Sequence, residues 1–465
     1  MPAHVPASEP AASTAAPGPA APGPARPAPA GPVPGLRHVL VVGAGLAGAR
    51  TVVELRAQGF EGRITVLGAE GVPPYDRPPL SKHLFDRPSP AWLADELDVD
   101  ALALADDVRL GEPATGLRVD PDEVGVRTAT GEVVADAVVL ATGSAPVRPA
   151  AWRAARTLHG IEDAQALRDA LATAADGGQP RVDQPGPQPD GPLPRRLVVI
   201  GAGWIGAEVA TVAAAAGTHV TVVEAHETPL GGVLGPRVGG LTAPWYAAAG
   251  VRLLTGVPVA EVAADAVTLA DGTVLPADVA LAAIGARPAT GWLTQTGAGT
   301  VVPFAPDGSV PVDEGYAPLG GSPRVRAVGD VARRRSARHG WAPGGHWDGA
   351  LRGPAVAVGA LLGTADPTAT DLTPYVFSTQ LGHELALHGV PGPTDEVLLR
   401  GDPAGPDGWS ALWFVAGTDR LTAVLAVDRP RDVSGARRLL GRATLPELDR
   451  TRAADPAVPL PRTER

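Results

Sequence analysis

The sequence predicts an α/β protein, with two parallel-sheet units that each open on a strand–turn–helix and a small α+β unit near the C-terminal end. Three observations carry this. The stretch VLVVGAGLAG places glycines at Gly43, Gly45 and Gly48 between a run of aliphatic residues and an Ala-rich stretch of helical spacing. LVVIGAGWIG repeats the pattern with Gly201, Gly203 and Gly206. From about Asp366 the character changes to isolated aromatic strands, TPYVFST, SALWFVAG and TAVLAVD, followed by a helix near 433–440. In each glycine pattern the first glycine makes the strand-to-helix turn, the second lets a pyrophosphate approach the backbone, and the third lets helix and strand pack closely. Two such turns predict two Rossmann-like dinucleotide-binding domains. A chain that holds two dinucleotides passes electrons between them, so a flavin–nicotinamide oxidoreductase is expected.

The elements follow in order. Residues 1–35 read as a disordered Ala/Pro-rich tail, with no basic start and no apolar run of a signal peptide. His38 to Val42 predict a strand, Leu46 to Gln58 a helix and Ile64 to Leu67 the next strand. A Pro-rich loop covers Pro73 to Lys82, and Val138 to Leu140 form a strand that ends in Ala141-Thr142-Gly143-Ser144. Asp176 to Pro194 lack apolar residues and predict a flexible insertion. Leu197 begins the second unit, with a helix from Trp204 to Ala216 and a strand from His219 to Glu224. Val279 to Ile284 predict a strand that returns the chain to the first domain. Val325 to Val328 then lead to Gly329-Asp330, and a helix from His346 to Leu362 is expected to start, kink or break at Pro354. The resulting plan gives an FAD-binding domain of residues 36–150 and 280–365 and an NAD-binding domain of 151–279. A C-terminal interface domain of 366–445 and a flexible tail of 446–465 complete it.

Composition excludes other classes. The 465 residues contain no cysteine, which removes a disulfide framework, an active-site dithiol, a thiolate nucleophile and thiolate metal ligation. The net charge of -11 argues against nucleic acid. No stretch has the apolar length of a membrane span, and a cytoplasmic location is expected. The ten histidines show no zinc-ligand spacing.

Glu224, 18 residues after Gly206, ends the second strand of its unit. A carboxylate there accepts hydrogen bonds from both adenosine ribose hydroxyls and repels a 2′-phosphate, so NADH is favoured over NADPH. Glu70 occupies the matching place for the adenosine of FAD. The alternative for both is a solvated residue at a strand end.

Pro74-Tyr75-Asp76-Arg77-Pro78-Pro79-Leu80-Ser81-Lys82 resembles the loop of the oxygenase-coupled NADH–ferredoxin reductases. So do GAGWIGAE at 201–208, EAHETPLGGVLGP at 224–236, AIGARP at 283–288, VGDVA at 328–332 and His346-Trp347. PYVFSTQLG at 374–382 and AVDRPRD at 426–432 extend the resemblance to the C-terminal unit. The resemblance covers about residues 36–440. It implies a glutathione-reductase-like arrangement of FAD and NAD domains and a hydride passed from NADH to flavin N5. Electrons then leave singly for a small acidic [2Fe–2S] ferredoxin that serves a P450 or ring-hydroxylating oxygenase.

By the same resemblance, Lys82 is the flavin-side lysine and Glu208 the carboxylate near the nicotinamide. Asp330 binds the ribityl chain, and Trp347 lies beside the pyrimidine. Leu46 and Ala47 in the first turn, Arg77 in the loop, and Ala141, Thr142 and Gly143 join the FAD side. Trp204, Ile205 and Gly285 join the NAD side. The chemistry agrees with these roles: an ammonium stabilises the negative charge of a reduced flavin, and Glu208 is placed to pair with Lys82 across the cleft. The ordinary alternatives are an exposed lysine, a solvated helix glutamate, a helix cap for Asp330 and core packing for Trp347.

The chain departs from the family at Gly345 (usually acidic), Gly349 (usually Asn), Arg352-Gly353 (usually Gln-Gly) and Asp428 (usually Asn). Arg333, Arg334, Arg335 and Arg338, with Arg148, Arg153 and Arg156, suggest a basic patch that docks the ferredoxin, or else a solvated Arg-rich surface. Two other functions remain open. One is an FAD-dependent NADH oxidase or small-molecule reductase, and the other is an NADH-sensing flavoprotein that acts by conformational change.

Overall fold

The computed structural model describes residues 30–172, 195–295, 302–365 and 371–465. The first glycine turn joins β1 (His38–Val42) to α1 (Leu46–Ala57), and the chain returns in β2 (Arg63–Gly68). Val39 to Val42 are buried, as an unalternating aliphatic run requires of a central parallel strand. The Pro-rich loop ends in a short helix, α2 (Pro79–Lys82), whose proline stands where no N–H is needed. β3 (Asp107–Leu110) and β4 (Ala137–Leu140) follow.

The second glycine turn joins β5 (Arg196–Ile200) to α3 (Trp204–Ala215). β6 (His219–Val223), β7 (Arg252–Leu254) and β8 (Val279–Ala282) then complete a parallel sheet of order β7-β6-β5-β8. The chain goes back through β9 (Val325–Ala327), which closes the first sheet in the order β9-β4-β1-β2-β3. Every pairing in that sheet is parallel.

This corrects the expectation for Val279 to Ile284. The strand pairs with β5, from Leu197↔Val279 to Ile200↔Ala282, so it belongs to the second sheet. A short buried aliphatic run carries no mark of which parallel neighbour it joins. The crossing between units comes just beyond it, where Ser144–Pro146 pairs antiparallel with Ala286–Pro288.

Helix α4 (Trp347–Leu362) runs through Pro354 without ending there. Gly353, Pro354, Ala357 and Leu361 are buried on its inner side, and that packing outweighs the one backbone bond the proline removes.

The C-terminal unit has five strands: β10 (Tyr375–Gln380), β11 (His383–Gly389), β12 (Glu396–Arg400), β13 (Trp409–Phe414) and β14 (Leu421–Val427). They form an antiparallel sheet of order β10-β11-β14-β13-β12, covered by α5 (Pro430–Leu440). Sequence reasoning found β10, β13 and β14. β11 and β12 carry His and Glu, or charged ends, and gave no aromatic signal.

The expected tail of 446–465 is instead ordered and includes α6 (Arg450–Ala454). Leu448, Ala453 and Leu460 are buried against Leu412, Phe414 and Leu439. The cause lies in a distant strand. Arg400, fully buried, pairs with Asp432 at 3.0 Å and donates to the carbonyls of Ala453 (3.0 Å) and Val458 (2.6 Å). Order also begins a little before residue 36, since Val33 is buried and its N–H donates to the Leu361 carbonyl at 3.0 Å. The rest of the expected N-terminal tail and the insertion of 176–194 lie outside the described residues. Among the described residues no helix is long and apolar enough to cross a membrane.

Candidate functional site

The two glycine turns have the same geometry. Gly43 and Gly201 have φ of +115° and +106°, which a side chain resists. A Cβ on Gly43 would lie 2.2 Å from the Ala141 carbonyl oxygen, and one on Gly201 would lie 2.4 Å from that of Ala283. A Cβ on Gly48 or Gly206 would meet the carbonyl oxygen of Gly43 or Gly201, at 1.8 and 2.1 Å. Gly45 and Gly203 differ, because a Cβ at either meets nothing within 4 Å. These second glycines cap α1 and α3, and neither cap supplies a side-chain acceptor. Each turn therefore offers open space and free helix N–H groups, which fits a pyrophosphate.

Around the first turn, Leu46 is half-buried and Ala47 buried. Glu70, two residues beyond β2, accepts from Tyr75 Oη at 2.5 Å and pairs with Arg77. Arg77 also donates to the His159 carbonyl at 2.5 Å and lies over the Tyr75 ring. Burial pushes the Glu70 carboxyl up, but the Arg77 charge and the two hydrogen bonds outweigh it and hold the pKa below its ordinary value. Ala141 is buried beside Gly43. Thr142 donates to the Ala289 carbonyl at 2.9 Å, and Gly143, at φ +69°, accepts from the Ala289 N–H.

In the second unit Glu224 is buried. It accepts from the N–H groups of Ala202, inside the glycine turn, at 2.7 Å and of His226 at 2.8 Å. Trp204 is half-buried, while Ile205 (46% exposed) and Ile284 (38%) stand apolar and open beside the turn. Gly285, at φ +99°, follows Ile284 with free space around it.

Between the units lies a polar cluster centred on Glu208. Glu208 is 4% exposed and accepts three side-chain donors: Lys82 Nζ, Ser81 Oγ at 2.5 Å and Ser378 Oγ at 2.5 Å. Lys82 Nζ stands 5.2 Å from the Phe377 ring centroid. Asp330, in a short turn after β9, accepts from Ser144 Oγ at 3.0 Å and from the Gly345 N–H at 3.1 Å. Trp347, the first residue of α4, donates its indole N–H to Asp76 at 2.6 Å and meets Phe377 edge-on at 6.2 Å. Burial raises the Asp76 pKa, and the indole hydrogen bond only partly offsets it.

Ser81, Ser378, Gln380, Asp76 and Ser144 were not singled out from sequence. A signal existed for Ser378 and Gln380: strand alternation puts both on one face, and two polar residues facing inward need partners.

Three of the family departures have local partners. Gly345 has φ +87°, a conformation that side chains rarely adopt, and its N–H donates to Asp330. Asp428 pairs with His383 at 2.6 Å. Arg352 pairs with Asp348 at 2.9 Å, one turn away on α4. Gly349 faces open space.

Two arginines of the expected basic patch are turned inward. Arg334 is 4% exposed, pairs with Asp371 at 3.0 Å and donates to the Leu372 carbonyl at 2.7 Å. Arg338 also pairs with Asp371 and caps the carbonyls of Leu440 and Arg442. Both tie the first unit to the segment that enters the C-terminal unit. Arg333, over the Trp341 ring, and Arg335 stay half-exposed, and Arg148, Arg153 and Arg156 are exposed. Among the described residues no group of three His, Asp or Glu is placed to hold a metal.

A family model described as pyridine nucleotide-disulphide oxidoreductase matches residues 37–347, and one described as reductase C-terminal matches residues 375–463. The chain is 34% identical over 415 residues to the ferredoxin reductase component of chlorobenzene dioxygenase from Cupriavidus sp. (strain PS12), covering 87% of this chain and 92% of that protein. It is 31% identical over 427 residues to putidaredoxin reductase CamA from Pseudomonas putida, covering 87% and 91%. Among solved structures, that of Fdr9 is 37% identical with a TM-score of 0.76, covering 91% of this chain and 99% of that one. The reductase in the covalent putidaredoxin reductase–putidaredoxin complex is 28% identical with a TM-score of 0.77, covering 92% and 98%.

Proposed function

Because the chain belongs to the FAD-dependent pyridine nucleotide oxidoreductases, as an enzyme of the ferredoxin reductase type, we propose that it passes a hydride from NADH to FAD and releases the electrons singly to a small acidic [2Fe–2S] ferredoxin of a P450 or ring-hydroxylating oxygenase system. The disulphide chemistry in the family's name is closed to this chain, which has no cysteine. The observation that carries the reading is the Lys82–Glu208 pair, which joins the unit that opens on one glycine cradle to the unit that opens on the other.

When bound, FAD supplies the conversion of one hydride into two single electrons. The protein's part is positioning. Gly45 and the N–H groups at the start of α1 would receive the pyrophosphate of FAD, Glu70 and Arg77 would hold its adenosine end, and Asp330, held by Ser144 and Gly345, would take the ribityl hydroxyls. Gly203 and α3 do the same for NADH, with Glu224 at the ribose. Ile205 and Ile284, apolar and exposed beside the second turn, would shed water to a bound nucleotide. Lys82, fixed by Glu208 and Phe377, would supply the cation that stabilises the negative charge of a reduced flavin.

Anaerobic stopped-flow absorbance tests this. Rapid bleaching of the yellow protein by NADH, much slower bleaching by NADPH, and reoxidation by a [2Fe–2S] ferredoxin are expected. No bleaching by either nucleotide would overturn the assignment, and bleaching without ferredoxin reduction would move the acceptor to oxygen or a small molecule.

A further inference from the structure

The Glu208 carboxylate is shared by all three units of the fold. Ser81 and Lys82 reach it from α2, it stands on α3, and Ser378 reaches it from β10. Ser378 is 1% exposed, and so is Gln380, which donates its amide to Ser378 Oγ at 3.2 Å. A serine hydroxyl has one proton. With a lone pair taken by Gln380, that proton is directed to Glu208 Oε1, the same oxygen that holds Lys82. Phe377, the preceding residue of the strand, lies against Lys82 Nζ. One short stretch of β10 therefore grips both members of the ion pair.

We propose that Ser378, oriented by Gln380, is a positioning residue for hydride transfer, and that the C-terminal unit thereby completes a site otherwise shared by the two nucleotide-binding units. This rests on the reading of the chain as an NADH- and FAD-dependent reductase. Charge-assisted hydrogen bonds to a buried carboxylate are short and strong, and three of them leave it little freedom. Remove the one from Ser378, and Glu208 follows Lys82 and Ser81 toward the first unit, taking the lysine with it. Small displacements at a reacting site reduce rate more than binding.

The test is NADH reduction of the FAD-loaded full chain by stopped flow, resolving the limiting rate from the NADH dissociation constant. Ser378→Ala is expected to lower the limiting rate roughly tenfold and leave the dissociation constant within about twofold. Ser378→Thr, which keeps the hydroxyl, recovers most of the rate. In a Glu208→Ala background Ser378→Ala adds no further loss, because the hydroxyl then has nothing to hold, whereas a merely structural effect would persist. Should Ser378→Ala not retain FAD, Gln380→Leu keeps the serine and removes only its orientation, with a smaller loss of rate expected. An unchanged limiting rate in wild-type-like Ser378→Ala protein, or full additivity with Glu208→Ala, overturns the positioning role and leaves the reductase reading standing. A wild-type protein that NADH does not bleach overturns both.

Discussion

Lys82 and Glu208 were legible as a pair because each sits in a constrained motif, one after two prolines and the other a turn beyond a glycine cradle. Their third and fourth partners were not, since Ser378 is separated from Glu208 by 170 residues and reads as ordinary strand polarity. Lys82→Met keeps the bulk and removes the cation. It should lower the limiting rate of NADH reduction on the order of a hundredfold and destabilise the fold by about 3 kcal/mol, because it strands a buried carboxylate. Stopped flow and thermal unfolding read the two effects separately. His388 is a different case. It is 3% exposed, neither ring nitrogen has a hydrogen-bond partner among the described residues, and its pKa is pushed down to about 4, by burial first and then by Arg437 and Arg352. An unfolded histidine titrates near 6.5, so above that pH neither state takes the proton. Below it the unfolded chain takes the proton and the folded one does not, and stability falls until the folded pKa is reached. Denaturant midpoints should therefore drop as pH falls from about 6.5 to about 4, at up to about 1.4 kcal/mol per pH unit from this group. His388→Phe should flatten that slope.

At the scale of elements, the two strand–turn–helix openings were readable because glycine is demanded there by collision and by φ, not by composition. The three glycines of a turn nevertheless do different jobs, which predicts different failures. Gly43→Ala and Gly48→Ala drive a Cβ into a backbone carbonyl and should prevent accumulation of folded protein. Gly45→Ala meets nothing, so the apoprotein should melt as wild type does while its FAD affinity drops, as titration with FAD followed by flavin fluorescence would show. The arginine run of 333–338 was read from sequence as one patch, but strand alternation divides it. Arg334 is turned inward to Asp371 and Arg333 and Arg335 outward. Arg333→Glu with Arg335→Glu should weaken ferredoxin reduction and its salt dependence while leaving NADH bleaching untouched. Arg334→Ala should lower thermal stability instead. The placement of β8 stayed hidden because which neighbour a strand pairs with depends on contacts that its own residues do not encode, whereas β11 and β12 stayed hidden because their own residues, HELALHG and EVLLR, carry polar or charged positions and no aromatic signal.

At the scale of the whole molecule, the sequence carries no signal of how tightly the units are joined. The second unit and the C-terminal sheet share one apolar core, in which Leu230, Leu234 and Trp245 meet Leu381, Leu385 and Trp409. Trp245 stacks on His383 at 4.1 Å, and the Leu381 N–H donates to Thr211 at 2.7 Å. Arg237 reaches the Val397 carbonyl at 3.0 Å. These two units should lose amide protection together in hydrogen exchange rather than one after the other. The same joint has a kinetic meaning. A second unit fastened on that side is not free to swing open as a gate, yet Gly203, Ile205 and Gly285 already face open space. On the proposed function, the nicotinamide nucleotide is therefore expected to enter and leave without a swing of the second unit and without a large volume of solvent being pushed aside. Thickening the medium with sucrose should leave nucleotide release nearly as fast as in water, while any step that depends on two proteins finding each other slows in proportion.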